Sequence, residues 1–210
     1  MLMVKGMEIY AGTKPQDGNT SNEDAYLVGR NGIPYAALCD GSGRAQQAGR
    51  RALALFEKLI AEAAADQVER FSTWDGWTRL LDSSLIGGAQ STFIAIAVLE
   101  GRIVGACAGD SRLYLFPSGG EAQILTEEAG KPRLGSGKVI PYAIHSRVQQ
   151  GDILLLMSDG AWTPLKVSKL EALRAKVLSR HFSEFPAMIL DEAGKNGRAD
   201  DMTVIAIKVF

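Results

Sequence analysis

Short apolar runs separated by tight turns are the feature of the sequence that most restricts its fold. Ser91–Leu99 and Arg102–Gly109 flank the dipeptide Glu100-Gly101, and Arg112–Phe116 and Ala122–Thr126 flank a short glycine-containing connection. Two strand-like runs joined in this way are typical of a β-hairpin, whose strands run antiparallel. The repetition of the pattern along the chain predicts antiparallel sheets.

The other periodic segments complete the predicted set of elements. Further strands are expected at Met7–Thr13, Ala25–Val28, Ile33–Cys39, Asp152–Ser158 and Met202–Val209, and helices at Ala45–Gln67, Trp74–Ile86, Val167–Leu178 and Glu184–Ala193. The strands come in hairpin-connected runs, and the helices come in pairs between those runs. This order is typical of an α+β layered sandwich, in which helices pack outside antiparallel sheets.

Composition and charge are those of an ordinary globular domain. The chain has 210 residues and a formal net charge of -1, so its charge gives no general attraction to nucleic acid or to a membrane surface. We expect no signal peptide and no membrane span. Cys39 and Cys107 lie in apolar runs, and we interpret them as core residues of a cytoplasmic protein, with a redox pair as the less favoured alternative. A single domain over residues 1–210 is the simplest organisation.

Acidic residues border the strands of the first predicted hairpin. Asn31-Gly32 is the dipeptide most typical of a two-residue hairpin turn, and a turn there places position 24 opposite position 39 and position 23 opposite position 40. Glu23, Asp24 and Asp40 are therefore expected to meet at one end of a sheet.

The same arrangement recurs further along the chain. Asp110 and Asp159 each follow a predicted strand, and Asp200 and Asp201 precede the last one. Any single aspartate at a strand end is equally well explained as a turn former. Three of them, however, have similar surroundings, in CDGSG, GDSR and SDGAW. A cluster of four or more carboxylates requires raised pKa values or bound cations, and oxygen ligands without cysteine or histidine favour Mg²⁺ or Mn²⁺.

Five segments carry these residues in a fixed order. They are NEDAYL (Asn22–Leu27), CDGSG (Cys39–Gly43), GAQSTFIAIAVLEGRIVGACAGDSRLYLF (Gly88–Phe116), GDILLLMSDGAW (Gly151–Trp162) and ADDMTVIAI (Ala199–Ile207). Together they resemble the metal-dependent protein phosphatases of type 2C (the PPM family), in a compact bacterial-type form. The resemblance spans nearly the whole chain and implies a four-layer α-β-β-α sandwich, with two antiparallel β-sheets flanked by helices.

The resemblance also implies two core metal ions, Mn²⁺ or Mg²⁺, at the edge of the sandwich. Asp40 would bridge the two ions, and the carbonyl of Gly41 would contact one of them. Asp159 and Asp200 would complete the ligands of the other ion. A water shared by the two ions would attack phosphorus in line, so no covalent enzyme intermediate is expected.

The remaining acidic residues of the motifs have lesser implied roles. Glu23 and Asp24 would act mostly through metal-bound water, and Asp110 would help to hold a weaker third ion. Asp24 and Asp40 are the residues that the resemblance implies to be catalytic.

Two departures from the family pattern concern groups that handle the substrate. The family usually has an arginine, which binds the substrate phosphate, where this chain has Asn19; Lys14 and Arg44 are the candidate replacements. Many eukaryotic relatives have a histidine in the place of Ser42, where it can protonate the leaving group. Serine is a poor proton donor at neutral pH, so that task would fall to water.

Other departures surround the third ion and the substrate. Thr163 replaces an aspartate that helps to hold this ion, and Asp201 replaces the usual asparagine. Only Glu127–Gln150 lies where relatives insert a flap subdomain, and Leu134–Gly137 follows almost at once. A shortened flap is expected to leave a more open and less selective active site.

Three functions follow as alternatives. The first is a Mn²⁺/Mg²⁺-dependent phosphatase of signalling that dephosphorylates phosphoserine and phosphothreonine in proteins. Its partners would be phosphorylated protein substrates and an opposing serine/threonine kinase, with no nucleic acid and no membrane, and the chain would be a monomer. The second is a weak or inactive pseudophosphatase that acts as a regulatory binding module. The third retains hydrolysis but acts on a small phosphate ester.

Overall fold

Thirteen β-strands and six α-helices form the described part of the chain. The structure is a computed structural model and describes residues 2–4, 6–29, 32–42, 47–178 and 181–210. The strands are β1 (Leu2–Val4), β2 (Met7–Lys14), β3 (Ala25–Gly29), β4 (Tyr35–Cys39), β5 (Gly41–Ser42), β6 (Gln90–Ser91), β7 (Phe93–Leu99), β8 (Arg102–Ala108), β9 (Arg112–Phe116), β10 (Gln123–Ile124), β11 (Tyr142–Arg147), β12 (Ile153–Met157) and β13 (Met202–Val209). The α-helices are α1 (Ala48–Glu62), α2 (Ala65–Val68), α3 (Phe71–Leu85), α4 (Asp159–Trp162), α5 (Val167–Leu178) and α6 (Phe185–Ala193), and short 3-10 turns cover Phe182–Glu184 and Gly194–Asn196.

Two antiparallel sheets form the inner layers. The six-stranded sheet has the order β1-β2-β13-β12-β9-β10, the five-stranded sheet has the order β11-β8-β7-β4-β3, and β5 and β6 form a separate two-stranded ribbon. Helices α1 and α3 pack on the five-stranded sheet, while α5 and α6 cover the six-stranded sheet. The predicted α+β fold, a four-layer α-β-β-α sandwich of two antiparallel sheets flanked by helices, is confirmed.

Three apolar layers hold these elements together. Leu38 and Ile205 lie in the layer between the sheets, Phe56 and Trp74 in the layer under α1 and α3, and Phe185 in the layer under α6. Central strands such as β4 and β12 are buried on both faces, which explains why they read as continuous apolar runs rather than as alternating ones. None of the described helices combines the length and the apolar character needed to cross a bilayer.

The hairpin predictions are confirmed, with one change of register. Strands β7 and β8 pair Leu99 with Arg102, so Glu100-Gly101 is a two-residue turn as expected. In the first hairpin, however, Ala25 rather than Asp24 lies opposite Cys39. The strands there end at Gly29 and resume at Tyr35, so the connection is longer than the predicted turn at Asn31-Gly32; Asn31 itself lies outside the described residues. The register therefore aligns Asp24, not Glu23, with Asp40.

The predicted helix Ala45–Gln67 is divided in two. Its first residues lie outside the described part; α1 ends at Glu62, and extended backbone at Ala63 and Ala64 precedes α2. Alanine-rich sequence favours one continuous helix, but tertiary contacts override this preference. The side chain of Gln67 accepts a hydrogen bond from the Ala64 amide, and the break places Val68 in the core, where its carbonyl accepts the Trp74 indole N–H.

Strand β11 was not predicted. It pairs with β8 at the edge of the five-stranded sheet and buries only Ile144 well, between the half-exposed or exposed side chains of the sequence YAIHSR. An edge strand with a single well-buried residue has too little apolar periodicity to be found from sequence.

A buried carboxylate in α3 fixes the segment that precedes β11. Oδ1 of Asp82 accepts the backbone N–H groups of Gly135 and Gly137 at 2.7 and 3.1 Å, and Oδ2 accepts that of Val139 at 3.2 Å. Asp82 is 5 % exposed. A carboxylate can accept from several amides at once, so one side chain replaces the regular backbone pairing that this loop lacks.

Replacement of Asp82 by asparagine is expected to lower the free energy of unfolding by about 2 kcal/mol. Asparagine replaces one acceptor by an amide donor, which then faces the donor N–H of Val139. Urea denaturation measures the change. The matched control is Asp75→Asn in the same helix, which removes only an exposed ion pair with Arg79 and should change stability by less than about 1 kcal/mol. Equal effects of the two variants would contradict the assignment.

Candidate metal centre

Three aspartates from separate strand ends meet at one edge of the sandwich. Asp40 follows β4, Asp110 lies just after β8, and Asp159 begins α4 after β12. Each offers one carboxylate oxygen, and these three oxygens lie within 4.8 Å of one another. The two sheets stack so that these strand ends share an edge, and the structure therefore brings together three of the predicted ligands. We call them the aspartate triad.

Asp24 lies beside the triad and is held by a serine. It is buried, and its Oδ2 accepts a hydrogen bond of 2.7 Å from the hydroxyl of Ser158. The Ser158 oxygen in turn accepts the backbone N–H of Thr203 at 2.8 Å. The serine of SDGAW thus links β12, β13 and the segment before β3, a role that the sequence analysis did not assign.

Asp201, which stands where the family has asparagine, accepts hydrogen bonds from two backbone N–H groups. The two carboxylate oxygens of Asp201 accept the N–H groups of Gln16 and Glu23, the first at 2.7 Å. With asparagine at this position, the amide nitrogen would replace one of these two acceptor oxygens and would face a backbone N–H donor. Asp201 therefore fixes the position of Glu23. The pKa values of Glu23 and Asp200 are raised, chiefly by burial and further by neighbouring carboxylates.

Two glycines of the motifs permit close approach of backbone at this edge. A Cβ atom on Gly41 would lie 2.8 Å from the carbonyl oxygen of Glu23, and one on Gly160 would lie 2.1 Å from that of Asp201. Real Cβ atoms do not come so close, so any side chain would push these segments apart. The glycines of CDG and SDG therefore allow the acidic segments to converge.

An arginine that the sequence analysis missed reaches into the triad. Nη2 of Arg133 donates a hydrogen bond of 2.9 Å to Asp110 and lies 3.8 Å from Oδ2 of Asp159, and Nη1 lies 4.0 Å from Oδ1 of Asp40. The side chain is 14 % exposed. The only sequence signal was an arginine directly before the Leu134–Gly137 segment, which does not by itself distinguish it from a surface residue.

The cations considered from sequence lie elsewhere or are not described. Lys14 forms an ion pair of 2.5 Å with Asp191 on the outer helix α6. Asn19 is exposed and donates a hydrogen bond to Gln16. Arg44 and the side chain of Ser42 lie outside the described residues. Lys14 therefore pairs with a carboxylate of the outer helix and not with the aspartate triad.

Burial makes the charged forms of two central carboxyls unfavourable. It raises the pKa of Asp40 to about 9; the charges of Asp24 and Asp159 add to this shift, and Arg133 opposes it. Burial also raises the pKa of Asp24 to about 7, although the hydrogen bond from Ser158 lowers it. A cationic partner would restore the charged forms.

The donor set fits a hard divalent cation. Oδ2 of Asp40 is buried and has no hydrogen-bond partner in the described part of the chain. A buried acceptor of this kind is costly unless a ligand satisfies it. The surrounding donors are carboxylate oxygens, which Mg²⁺ and Mn²⁺ prefer.

A pocket of about 360 Å³ opens beside this centre. Its lining includes Asp159, Asp200, Thr163, Pro164 and Arg198. Thr163, which replaces the family's aspartate, therefore borders the pocket next to Asp159. The pocket gives a bulky group access to the acidic edge.

Solved structures with this architecture include bacterial serine/threonine phosphatases. A serine/threonine phosphatase from S. agalactiae matches with a TM-score of 0.85 and 19% identity, covering 97% of this chain and 100% of that one. The catalytic domain of the serine/threonine phosphatase PstP, in complex with two manganese ions, matches with a TM-score of 0.78 and 23% identity, covering 97% and 98%. PppA, described as a regulatory component of the type VI secretion system in Pseudomonas aeruginosa, matches with a TM-score of 0.76 and 19% identity, covering 99% of both chains.

The fold is that of the type 2C protein phosphatases, so the resemblance seen in the motifs is confirmed. No curated protein sequence matches the chain. The family model described as Stage II sporulation protein E (SpoIIE) matches residues 36–210, which is more than half of the chain. The chain belongs to the SpoIIE family.

The raised pKa of Asp40 predicts how stability depends on pH in the absence of divalent ions. The folded chain retains the Asp40 proton up to about pH 9, whereas an unfolded aspartate loses it near pH 4. The stabilising contribution of the protonated carboxyl is therefore complete below about pH 4 and is lost as the pH rises through about 9. In EDTA, Asp40→Asn should lose part of this pH dependence. The Tm of the variant minus the Tm of the wild type should therefore be larger at about pH 8.5 than at about pH 6.

Thermal unfolding at the two pH values, with Asp75→Asn as the control, measures this difference. The exposed control should follow the wild-type curve. A Tm difference between Asp40→Asn and the wild type that does not change with pH would contradict the raised pKa.

Proposed function

We propose that this chain is a Mn²⁺- or Mg²⁺-dependent phosphatase that hydrolyses phosphoserine and phosphothreonine in proteins. The observation that carries the proposal is the buried, partnerless Oδ2 of Asp40 at the point where the aspartate triad meets Asp24. The structural relatives are serine/threonine phosphatases, and the PstP structure holds two manganese ions. Both facts support a phosphatase with a pair of ions at this edge.

Each residue of the centre receives a role under this proposal. Asp40, Asp159, Asp200 and the Gly41 carbonyl would hold the ion pair. Bound there, the ions would neutralise phosphate charge and lower the pKa of the attacking water. Asp24, whose Oδ2 is held by Ser158, would act mostly through metal-bound water.

Glu23 lies at the rim of the same centre. Its backbone is held by Asp201, and its carboxyl lies near Asp200 and Asp201, whose charges raise its pKa further. We assign it to the outer ligands that act through water. The pocket beside Asp159 and Asp200 would receive the polypeptide around the phosphorylated residue. An opposing serine/threonine kinase is implied by such a substrate.

One observation favours a second candidate, a pseudophosphatase that binds a partner without hydrolysis. The guanidinium of Arg133 lies within 4.0 Å of all three triad aspartates and supplies positive charge to them. A cluster neutralised in this way needs fewer metal ions to remain folded. Measurement of turnover separates the two candidates.

The test is hydrolysis of p-nitrophenyl phosphate and of a phosphothreonine peptide with Mn²⁺ and with EDTA. We expect turnover that depends on Mn²⁺ and falls by about a hundredfold or more in Asp40→Ala, because a ligand shared by both ions is lost. The exposed variant Asp75→Asn should retain wild-type rates. Hydrolysis of the small ester alone would indicate a small-molecule substrate. Absence of turnover on both substrates, together with stabilisation by Mn²⁺, would favour the pseudophosphatase.

A further inference from the structure

The aspartate triad already has a cation in contact with it. The guanidinium of Arg133 donates to Asp110 at 2.9 Å, lies 3.8 Å from Asp159 and lies 4.0 Å from Asp40. These are the same three carboxylates whose oxygens lie within 4.8 Å of one another. Arginine stays charged at every accessible pH, so this positive charge is permanent.

The backbone on both sides of Arg133 is fastened to the sandwich. We call residues 130–139 the Arg133 loop. On its N-terminal side, the carbonyl of Gly130 accepts the N–H of Gly109 at 3.1 Å. Directly after the arginine, Leu134 exchanges two hydrogen bonds with Ser91, of 2.9 and 3.2 Å, and its side chain is fully buried.

The same contacts connect the loop to the triad itself. The hydroxyl of Ser91, which pairs with Leu134, also donates to the backbone carbonyl of Asp40 at 3.0 Å. Asp82 then holds the loop through its carboxylate, which accepts the backbone N–H groups of Gly135, Gly137 and Val139. Arg133 therefore enters the site from a backbone of fixed position, so little conformational entropy remains to be lost when its guanidinium pairs with Asp110.

Arg133 differs from surface arginines of the chain in the burial of its side chain. Its side chain is 14 % exposed, whereas those of Arg79 and Arg102 are 55 % and 41 % exposed in their ion pairs. Exposed pairs of that kind contribute little, but a charge-assisted hydrogen bond at a partly buried site is stronger. The Arg133–Asp110 pair is therefore expected to be stronger than these exposed ion pairs.

The guanidinium of Arg133 and a divalent ion compete for the carboxylate of Asp110. A metal ion would lie about 2.0–2.6 Å from the carboxylate oxygens, and Nη2 of Arg133 already lies 2.9 Å from Oδ1 of Asp110 and 3.8 Å from Asp159. Two positive charges that close would also repel each other strongly. The free oxygen of Asp40, in contrast, is left to a metal ion.

We propose that Arg133 is the resident cation of the aspartate triad: its guanidinium takes the place of one divalent ion beside Asp110, so that Asp110 anchors this arginine and is not a metal ligand. The inference concerns the same centre as the proposed phosphatase and rests on that function for its catalytic meaning. During catalysis, the positive charge of the centre would then come from the ions on Asp40 and from the guanidinium of Arg133. The N–H groups of Arg133 that do not pair with Asp110 are available to the phosphoryl group, which compensates for the asparagine at position 19.

The test counts Mn²⁺ ions bound per chain, from the free Mn²⁺ signal in electron paramagnetic resonance during a titration, so it does not depend on activity. Arg133→Met removes the charge while keeping an unbranched side chain. We expect it to bind one more ion per chain than the wild type. Lys138→Met removes an exposed charge from the same loop and should leave the count unchanged. In the double variant Arg133→Met/Asp110→Asn, the count should return to the wild-type value, which places the additional ion at Asp110.

Asp110→Asn alone gives an independent readout if Arg133→Met does not fold. The count should equal that of the wild type, because Asp110 is not a ligand when Arg133 is present. Loss of one ion in Asp110→Asn, or an unchanged count in folded Arg133→Met, would overturn the proposal. A wild type without phosphatase activity would refute the proposed function, yet the gain of one ion in Arg133→Met would still support the role of Arg133.

Discussion

The burial of carboxylates close to one another is the constraint to which the rest of the site responds. Asp40 lies at the end of a strand that is buried on both faces, next to the carboxylates of Asp24 and Asp159. Its unsatisfied oxygen and its raised pKa are two expressions of the same electrostatic problem. A fold that maintains such a cluster must provide positive charge. Arg133 supplies part of this charge, and the proposed metal ions would supply the rest.

The sandwich creates this constraint through its topology. Antiparallel sheets stacked face to face bring several strand ends to one edge, and the loops at that edge carry the functional groups. Polar residues behind the carboxylates then fix their positions. Ser158 holds Asp24, and Asp201 holds Glu23 through its backbone. Gly41 and Gly160 allow these segments to approach. The motifs therefore contain the residues that fix the positions of the carboxylates as well as the carboxylates themselves.

Much of the architecture could be predicted because it depends on local pattern. Apolar runs and turn residues identified the hairpins, and the aspartates at strand ends identified the acidic edge. The register of the first hairpin was wrong by one residue, because the connection is longer than the turn residues indicated. Arg133 could not be predicted, since its position depends on Ser91 and Asp82, which are distant in sequence. The spacing of residues near Arg133 contains no trace of those contacts.

The Arg133 loop also changes the interpretation of the short segment before β11. A shortened flap was expected to leave an open site, yet this segment delivers a cation into the acidic edge. The most direct measurement is anomalous diffraction at the manganese absorption edge from crystals soaked in Mn²⁺. Anomalous peaks within about 2.0–2.6 Å of the Asp40 carboxylate, with Arg133 still on Asp110, are the predicted result. Absence of any peak within reach of Asp40 would contradict the account.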